Sequence, residues 1–265
     1  MGSIQFKRLA CLDNLEILHA DDFESNFPDH FHDQVCLTLV QKGFECTEVE
    51  GQQLLSPTGY ISLTHENEVH ANPNLNRGTY SFITYYLSPD LLRSLNKNRH
   101  LRFRDRVIGD SNLFQSLSNL AERQDRLPEA SELMPVLQRL VDQYQLTPAA
   151  VSEIGLKRSK IEEVLVFIEN NLEEKISLEK LARICNLSKF QFLRAFKKSK
   201  GITPAAYLIN KRIEKAKSLL KQKLPIVEVS LACGFFDQSH FYKYFHRYVG
   251  ITPAQYSRSC NILQD

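Results

Sequence analysis

Through the first 87 residues, apolar positions come in short bursts of β-forming side chains. Val35-Cys-Leu-Thr-Leu-Val40, Tyr60-Ile-Ser-Leu-Thr64 and Thr79-Tyr-Ser-Phe-Ile-Thr-Tyr-Tyr86 are β-branched, aromatic or alternating. Gly43, Gly51, Pro57, Gly59, Pro73 and Gly78 punctuate them as turns. Short strands with regular breaks predict a sandwich or barrel. From Ser88 the period lengthens, and Ser88-Pro89-Asp90 reads as a helix start. Leu113, Leu117, Leu120 and Ala121 form one helical stripe; Leu133, Val136, Leu137, Leu140, Val141 and Tyr144 form a second. Such stripes serve either to cover the β core or as a dimer seam. The stretch around Pro148 and Gly155 reads as a linker, and Ile161, Val164, Leu165 and Ile168 carry the face of the first helix beyond it.

The C-terminal part repeats itself. Phe196 to Tyr207 reads FKKSKGITPAAY and Phe245 to Tyr256 reads FHRYVGITPAQY, an offset of 49 residues. A fixed spacing of this kind marks one supersecondary unit used twice. Upstream of each copy lie a short helix, a tight turn and a second helix, the arrangement that places a helix in a DNA major groove. In the first unit Ser177 and Ser188 read as N-caps, Leu178, Leu181 and Ala182 as inward positions, and Asn186 as the left-handed turn residue. In the second, Pro225 starts a helix with Ile226, Val229 and Ser230 inward, Gly234 turns the chain, and Asp237 or Phe236 opens the next helix. The second turn is one residue longer than the first.

Charge sharpens this picture. The net charge is only +2, but residues 157–265 hold 20 Lys+Arg against 10 Asp+Glu, while residues 1–156 hold 13 against 21. The C-terminal part suits a polyanion and the N-terminal part repels one. Basic helices are also common as plain solvated faces. Six Cys without a C-x-x-C pair, mostly in apolar runs, suggest buried free thiols in a reducing cytoplasm. Neither a signal peptide nor an apolar run of membrane length is seen, so a cytoplasmic protein with no membrane partner is expected.

Residues 160–258 resemble the paired helix-turn-helix domain of the AraC/XylS transcription regulators. SLEKLARICNLSKFQFLRAFKKSKGITPAAYLINKRIEKAKSLL and IVEVSLACGFFDQSHFYKYFHRYVGITPAQY carry the resemblance. It implies units at about 177–199 and 225–248, with base contacts from Phe190, Leu193 and Arg194, and from Gln238, Ser239, His240, Tyr242 and Lys243. Gln191 joins them on residue type. Leu193 stands where a polar residue is common, which leaves direct readout by the first helix mainly to Arg194. Lys189, Lys197, Lys198, Lys200, Arg212 and Arg247 are the expected phosphate contacts.

Phe27-Pro28-Asp29-His30-Phe31-His32, Pro57-Thr58-Gly59 and Glu68-Val69-His70 resemble the cupin-like sensor domain common in that family. Alternation puts His30 and His32 on one face of a strand, with His70 arriving from a turn. The three line an effector pocket, make structural hydrogen bonds, or hold a metal. The Glu that metal-binding cupins carry after the second His is missing from Asp33-Gln34-Val35-Cys36-Leu37, so neither metal nor cofactor is assigned.

The expected fold is α+β: a cupin-like β-barrel over residues 1–87, a helical extension over 88–146 with a dimer seam among its uses, a linker at 147–159, and a DNA-binding domain over 160–265 with a helix joining the two units. The expected function is a non-enzymatic, sequence-specific transcription activator. Its partners would be promoter DNA, RNA polymerase and a small effector such as an amino acid. The alternative is a metal-dependent cupin enzyme fused to a DNA-binding module.

Overall fold

The computed structural model describes residues 2–9, 12–13, 15–75, 78–123, 126–146 and 160–259. The linker expected at 147–159 lies outside these residues. The chain forms two compact units: a mostly β one of residues 1–26 and 31–152, which is called the β unit, and a mostly helical one of residues 153–258, to which the short segment 27–30 also belongs.

The β unit contains two sheets. The larger has the order β1-β2-β9-β4-β7-β10, from Ser3–Leu9 (β1), Leu15–Phe23 (β2), Tyr80–Leu87 (β9), Val35–Lys42 (β4), Ile61–Thr64 (β7) and Val107–Ile108 (β10). The smaller has the order β3-β8-β5-β6, from Phe27–His30 (β3), His70–Asn72 (β8), Phe44–Val49 (β5) and Gln52–Pro57 (β6). Glycines at positive φ make the tight turns: Gly43 joins β4 to β5 at +76°, and Gly51 joins β5 to β6 at +79°.

Alternation gives the larger sheet two unlike faces. Leu15, Ile17, Val35, Leu37, Leu39, Ile61, Leu63, Ile83, Tyr85 and Leu87 form one apolar face. Against it pack the helices Pro89–Leu95 (α1), Ser111–Glu122 (α2) and Ala130–Tyr144 (α3), through Leu91, Leu113, Leu117, Leu133, Leu137 and Leu140. Ser88 caps α1 and Asp110 caps α2, each accepting from the third residue of its helix. Tyr85 Oη donates to the Leu117 carbonyl at 2.7 Å and pins α2 to the sheet. Both sequence stripes pack into this core. The opposite face is also buried but mixed: Glu16, Thr38, Ser62, Thr64 and Thr84 lie there among Leu18, Val40, Phe82 and Tyr86.

The helical unit holds Lys160–Asn170 (α4), Leu178–Ile184 (α5), Lys189–Lys200 (α6), Pro204–Lys221 (α7), Ile226–Ala232 (α8), Gln238–Val249 (α9) and Pro253–Ser259 (α10). The repeated motif has a physical explanation here. Gly201 and Gly250 end α6 and α9 in the left-handed region, at φ +76° and +84°. Thr203 and Thr252 then accept from the backbone N–H three residues on, and Pro204 and Pro253 open the next helices. Ile202 and Ile251 are buried, and Tyr207 and Tyr256 set their rings edge-on to Phe196 and Phe245 at 5.8 and 5.5 Å. The motif is thus a helix stop, a helix start and an aromatic clasp, used twice.

Candidate nucleic-acid interface and sensor site

Each helix-turn-helix pair is built by the same devices. Between α5 and α6 lie residues 185–188, and between α8 and α9 lie residues 233–237, one residue more. Asn186 takes φ +56° and Gly234 +72°, as their places in the turns require. The buried small residues Ala182 and Ser230 let the second helix of each pair cross closely. Phe192, Phe196, Phe241 and Phe245 are fully buried and fix the rotation of α6 and α9. Ser188 accepts from Gln191 N, and Asp237 accepts from His240 N at 2.7 Å, which caps both helices.

That rotation leaves Phe190, Gln191, Arg194, Lys197 and Lys198 exposed on α6, and Gln238, Ser239, Lys243 and Arg247 exposed on α9. Leu193, Lys200, His240 and Tyr242 are half-buried. No carboxylate among the described residues pairs with Arg194, Lys197, Lys198, Lys243 or Arg247, so their charge is available to a phosphate backbone. Lys189 differs, since it pairs with Glu179 at 2.6 Å. The Gln191 carboxamide is engaged too: its Oε1 accepts from Ser188 N at 3.1 Å, completing a capping box, so reading a base would mean releasing the cap. The His240 ring lies against Tyr244 at 4.8 Å and Phe235 at 5.7 Å. Phe236, in the longer turn, is 89% exposed.

One phosphate assignment fails. Arg212 is 7% exposed, and its guanidinium donates to the Leu172 carbonyl from Nε and to the Glu174 carbonyl from Nη2, both at 2.8 Å. It ties α7 to the loop after α4 and cannot reach a phosphate. The clue was in the periodicity: Arg212, Ala216 and Leu220 lie four apart on the buried face of α7. The same junction explains Gly234. A Cβ there would lie 2.4 Å from the Leu172 carbonyl oxygen and 2.8 Å from Arg212 Nη2.

The histidines are placed differently from the sequence expectation. Strand β3 ends at His30, so His30 and His32 do not share a strand face; His32 lies in the following loop. The His32 ring is 5.4 Å from both the His70 ring and the Tyr86 ring. The loop before His70 is shaped by Glu68, which pairs with Arg106 and accepts from His65 N at 3.1 Å. His30 Nδ1 bonds the Pro28 carbonyl at 2.7 Å and His70 Nδ1 bonds the Glu68 carbonyl at 2.9 Å. A carbonyl only accepts, so each Nδ1 carries the proton. Burial, followed by the neighbouring His32, pushes His70 down to about 3, so the ring is neutral at physiological pH.

Two capped recognition helices with unneutralised basic faces, on a chain that also folds a β unit with a polar interior, define a regulator that binds DNA through one half. The comparisons agree. A profile described as an AraC-like ligand binding domain matches residues 14–165, more than half of the chain, and a helix-turn-helix domain profile matches residues 181–259. The chain belongs to the AraC-like family of transcription regulators. It is similar to the HTH-type transcriptional regulator YbfI of Bacillus subtilis, at 29% identity over 223 residues that cover 81% of each chain. The HTH-type transcriptional activator RhaS of Escherichia fergusonii is 25% identical over 244 residues, 86% of this chain and 87% of that one. Among solved structures, ToxT from Vibrio cholerae superposes with a TM-score of 0.56 over 99% of both chains at 12% identity, a likeness of fold. The enzyme alternative finds no support among these relatives. No helix among the described residues is long and apolar enough to cross a membrane.

Proposed function

We propose that this regulator is an effector-responsive activator whose helices α6 and α9 read successive major grooves on one face of promoter DNA. The observation that carries the reading is the pair of exposed, unneutralised basic faces on identically built helices. Arg194 and Gln238 are the leading base readers, since Arg suits guanine and Gln suits adenine. Lys197, Lys198 and Arg247 hold phosphates. RNA polymerase contact, a homodimer and a cytoplasmic location complete the proposal, supported by the naming of RhaS as an activator.

The test is quantitative footprinting with variants. Arg194→Ala and Gln238→Ala should each weaken specific binding by about 1–3 kcal/mol and relax preference at one base pair, while Lys197→Ala weakens all sequences alike. The two protected grooves should lie about 10 bp apart. Equal losses on specific and random DNA for all three variants, or protection of a single groove, would refute the assignment.

The β unit is proposed as the sensor, with His30, His32 and His70 lining the effector pocket and an amino acid among the candidate effectors. Polar groups whose positions are fixed by backbone carbonyls orient a ligand without reorganising. The nearby His32 and His70 rings support a second reading, a divalent metal held by histidine nitrogens. Replacing His32 or His70 with Ala should abolish the effector response yet leave DNA binding intact. Stoichiometric metal in the purified wild type, lost in both variants, would decide for the second reading.

A further inference from the structure

Glu45 of β5 is 5% exposed, and its carboxylate lies between the two sheets. Ser62 Oγ of β7 donates to one oxygen, and Asn72 Nδ2 of β8 donates to the other at 3.1 Å. No Lys, Arg or His among the described residues pairs with it. Ser56 of β6 stands directly across the β5–β6 ladder from Glu45, on the same face. Ser56 is fully buried, yet its hydroxyl has no hydrogen-bond partner among the described residues. A buried hydroxyl without a partner is rare and calls for an unseen one. Two independent features therefore meet at one place: a buried carboxylate without a counter-charge and an orphaned hydroxyl.

We propose that Glu45, Ser56, Ser62 and Asn72 form the subsite that receives an ammonium group of the effector. This rests on the reading of the β unit as the sensor and names the chemistry that sensor selects. An ammonium group has three donors and a positive charge. Glu45 keeps lone pairs beyond those used by Ser62 and Asn72, and Ser56 Oγ supplies a further acceptor. A neutral polyol would satisfy the hydroxyl but leave the carboxylate without its counter-charge. In the empty protein, burial pushes the Glu45 carboxyl up to about 7, so near neutrality it is partly protonated. Ammonium binding displaces that proton to solvent. The titratable groups beside it are Cys46 of β5 and Tyr80 of β9; burial, then nearby carboxylate charge, raises both, so neither competes as proton source.

The test uses the full chain with n-butylammonium and its neutral isostere n-butanol. At about 50 mM, the ammonium probe should raise melting of wild type by at least about 2 °C, and the alcohol should not. Calorimetric titration at pH 7 in two buffers of different ionisation enthalpy should show release of about half a proton per site. Glu45→Gln should abolish both effects, and Ser56→Ala should weaken binding of the ammonium probe several-fold. The proposal is overturned by equal shifts from both probes, by an ammonium shift that survives in Glu45→Gln, or by no response to the ammonium probe. Should Glu45→Gln fail to melt cooperatively, proton release in the wild type decides alone, and its absence overturns the proposal. A shift from n-butanol only, unchanged by Glu45→Gln, would keep the sensor and overturn the ammonium subsite.

Discussion

Replacing Arg212 separates two roles that a basic residue on a DNA-binding domain can play. In Arg212→Ala the two carbonyls at Leu172 and Glu174 lose donors held at 2.8 Å. Hydrogen bonds from a charged donor contribute about 1.5–3 kcal/mol each, so the pair is worth about 3–6 kcal/mol before relaxation. Water reaching the loop carbonyls recovers part of this, and we expect a net loss of about 3 kcal/mol. In a unit of about 100 residues, 1 kcal/mol moves the midpoint by about 4–5 °C, so the helical unit should melt some 12 °C lower. The chain has no Trp, so calorimetry or far-ultraviolet circular dichroism is the natural assay. Arg212→Lys keeps the charge but loses the planar fork, and should fall between wild type and Arg212→Ala. A phosphate contact would behave otherwise. It would leave melting unchanged and reduce the slope of log K against log salt by about 0.9. Unchanged melting together with that reduced slope would refute the structural role.

Two further outcomes follow from the same geometry. Gly234→Ala should destabilise the helical unit by at least about 2 kcal/mol in thermal unfolding, because the new Cβ is both at positive φ and 2.4 Å from the Leu172 carbonyl oxygen; melting within 2 °C of wild type would contradict it. The β unit should lose stability as pH rises from about 4.5 to about 7 and then level off. The folded Glu45 carboxyl titrates near 7 against about 4.3 unfolded, so in that window the folded state holds the extra proton. Its contribution is complete below the unfolded value and lost as pH passes the folded one. Glu45→Gln should flatten the profile, and parallel profiles for the two proteins would sink the assignment.

What was legible in the sequence is what local chemistry dictates. The repeated F-x4-G-I-T-P-A-x-Y marks one unit used twice, and in the structure it supplies a left-handed stop, a Thr cap, a Pro start and two facing rings, all within twelve residues. Caps at Ser88, Ser177, Ser188 and Asp237 likewise depend only on neighbours in the chain. The misreadings concern contacts set by packing. Arg212 was assigned to phosphate because basic residues usually face solvent, but its register with Ala216 and Leu220 turns it inward, where loop carbonyls satisfy it. His30 and His32 were placed on one strand face because alternation was extended beyond the point where β3 ends.

The polar interior of the β unit was the least legible feature, and the reason is physical. A strand alternating apolar with Thr or Ser reads as half-buried, with the polar side toward water. Here both faces of the larger sheet are covered: helices lie on the apolar face, and the mixed face that carries the Thr and Ser side chains is buried as well. Thr38 and Thr84 satisfy each other at 2.9 Å across β4 and β9. Glu45 has only neutral donors, and Ser56 is without a partner among the described residues. A core selected for stability alone would replace such groups with apolar ones of similar size, because buried polar atoms stabilise little when paired and are costly when not. The acceptors that face each other across β5 and β6 are the Glu45 carboxylate and the Ser56 hydroxyl. They share one chemical preference, for a ligand that brings hydrogen-bond donors. If the β unit is the sensor proposed above, a ligand that brings those donors would offset the cost in stability of burying these groups.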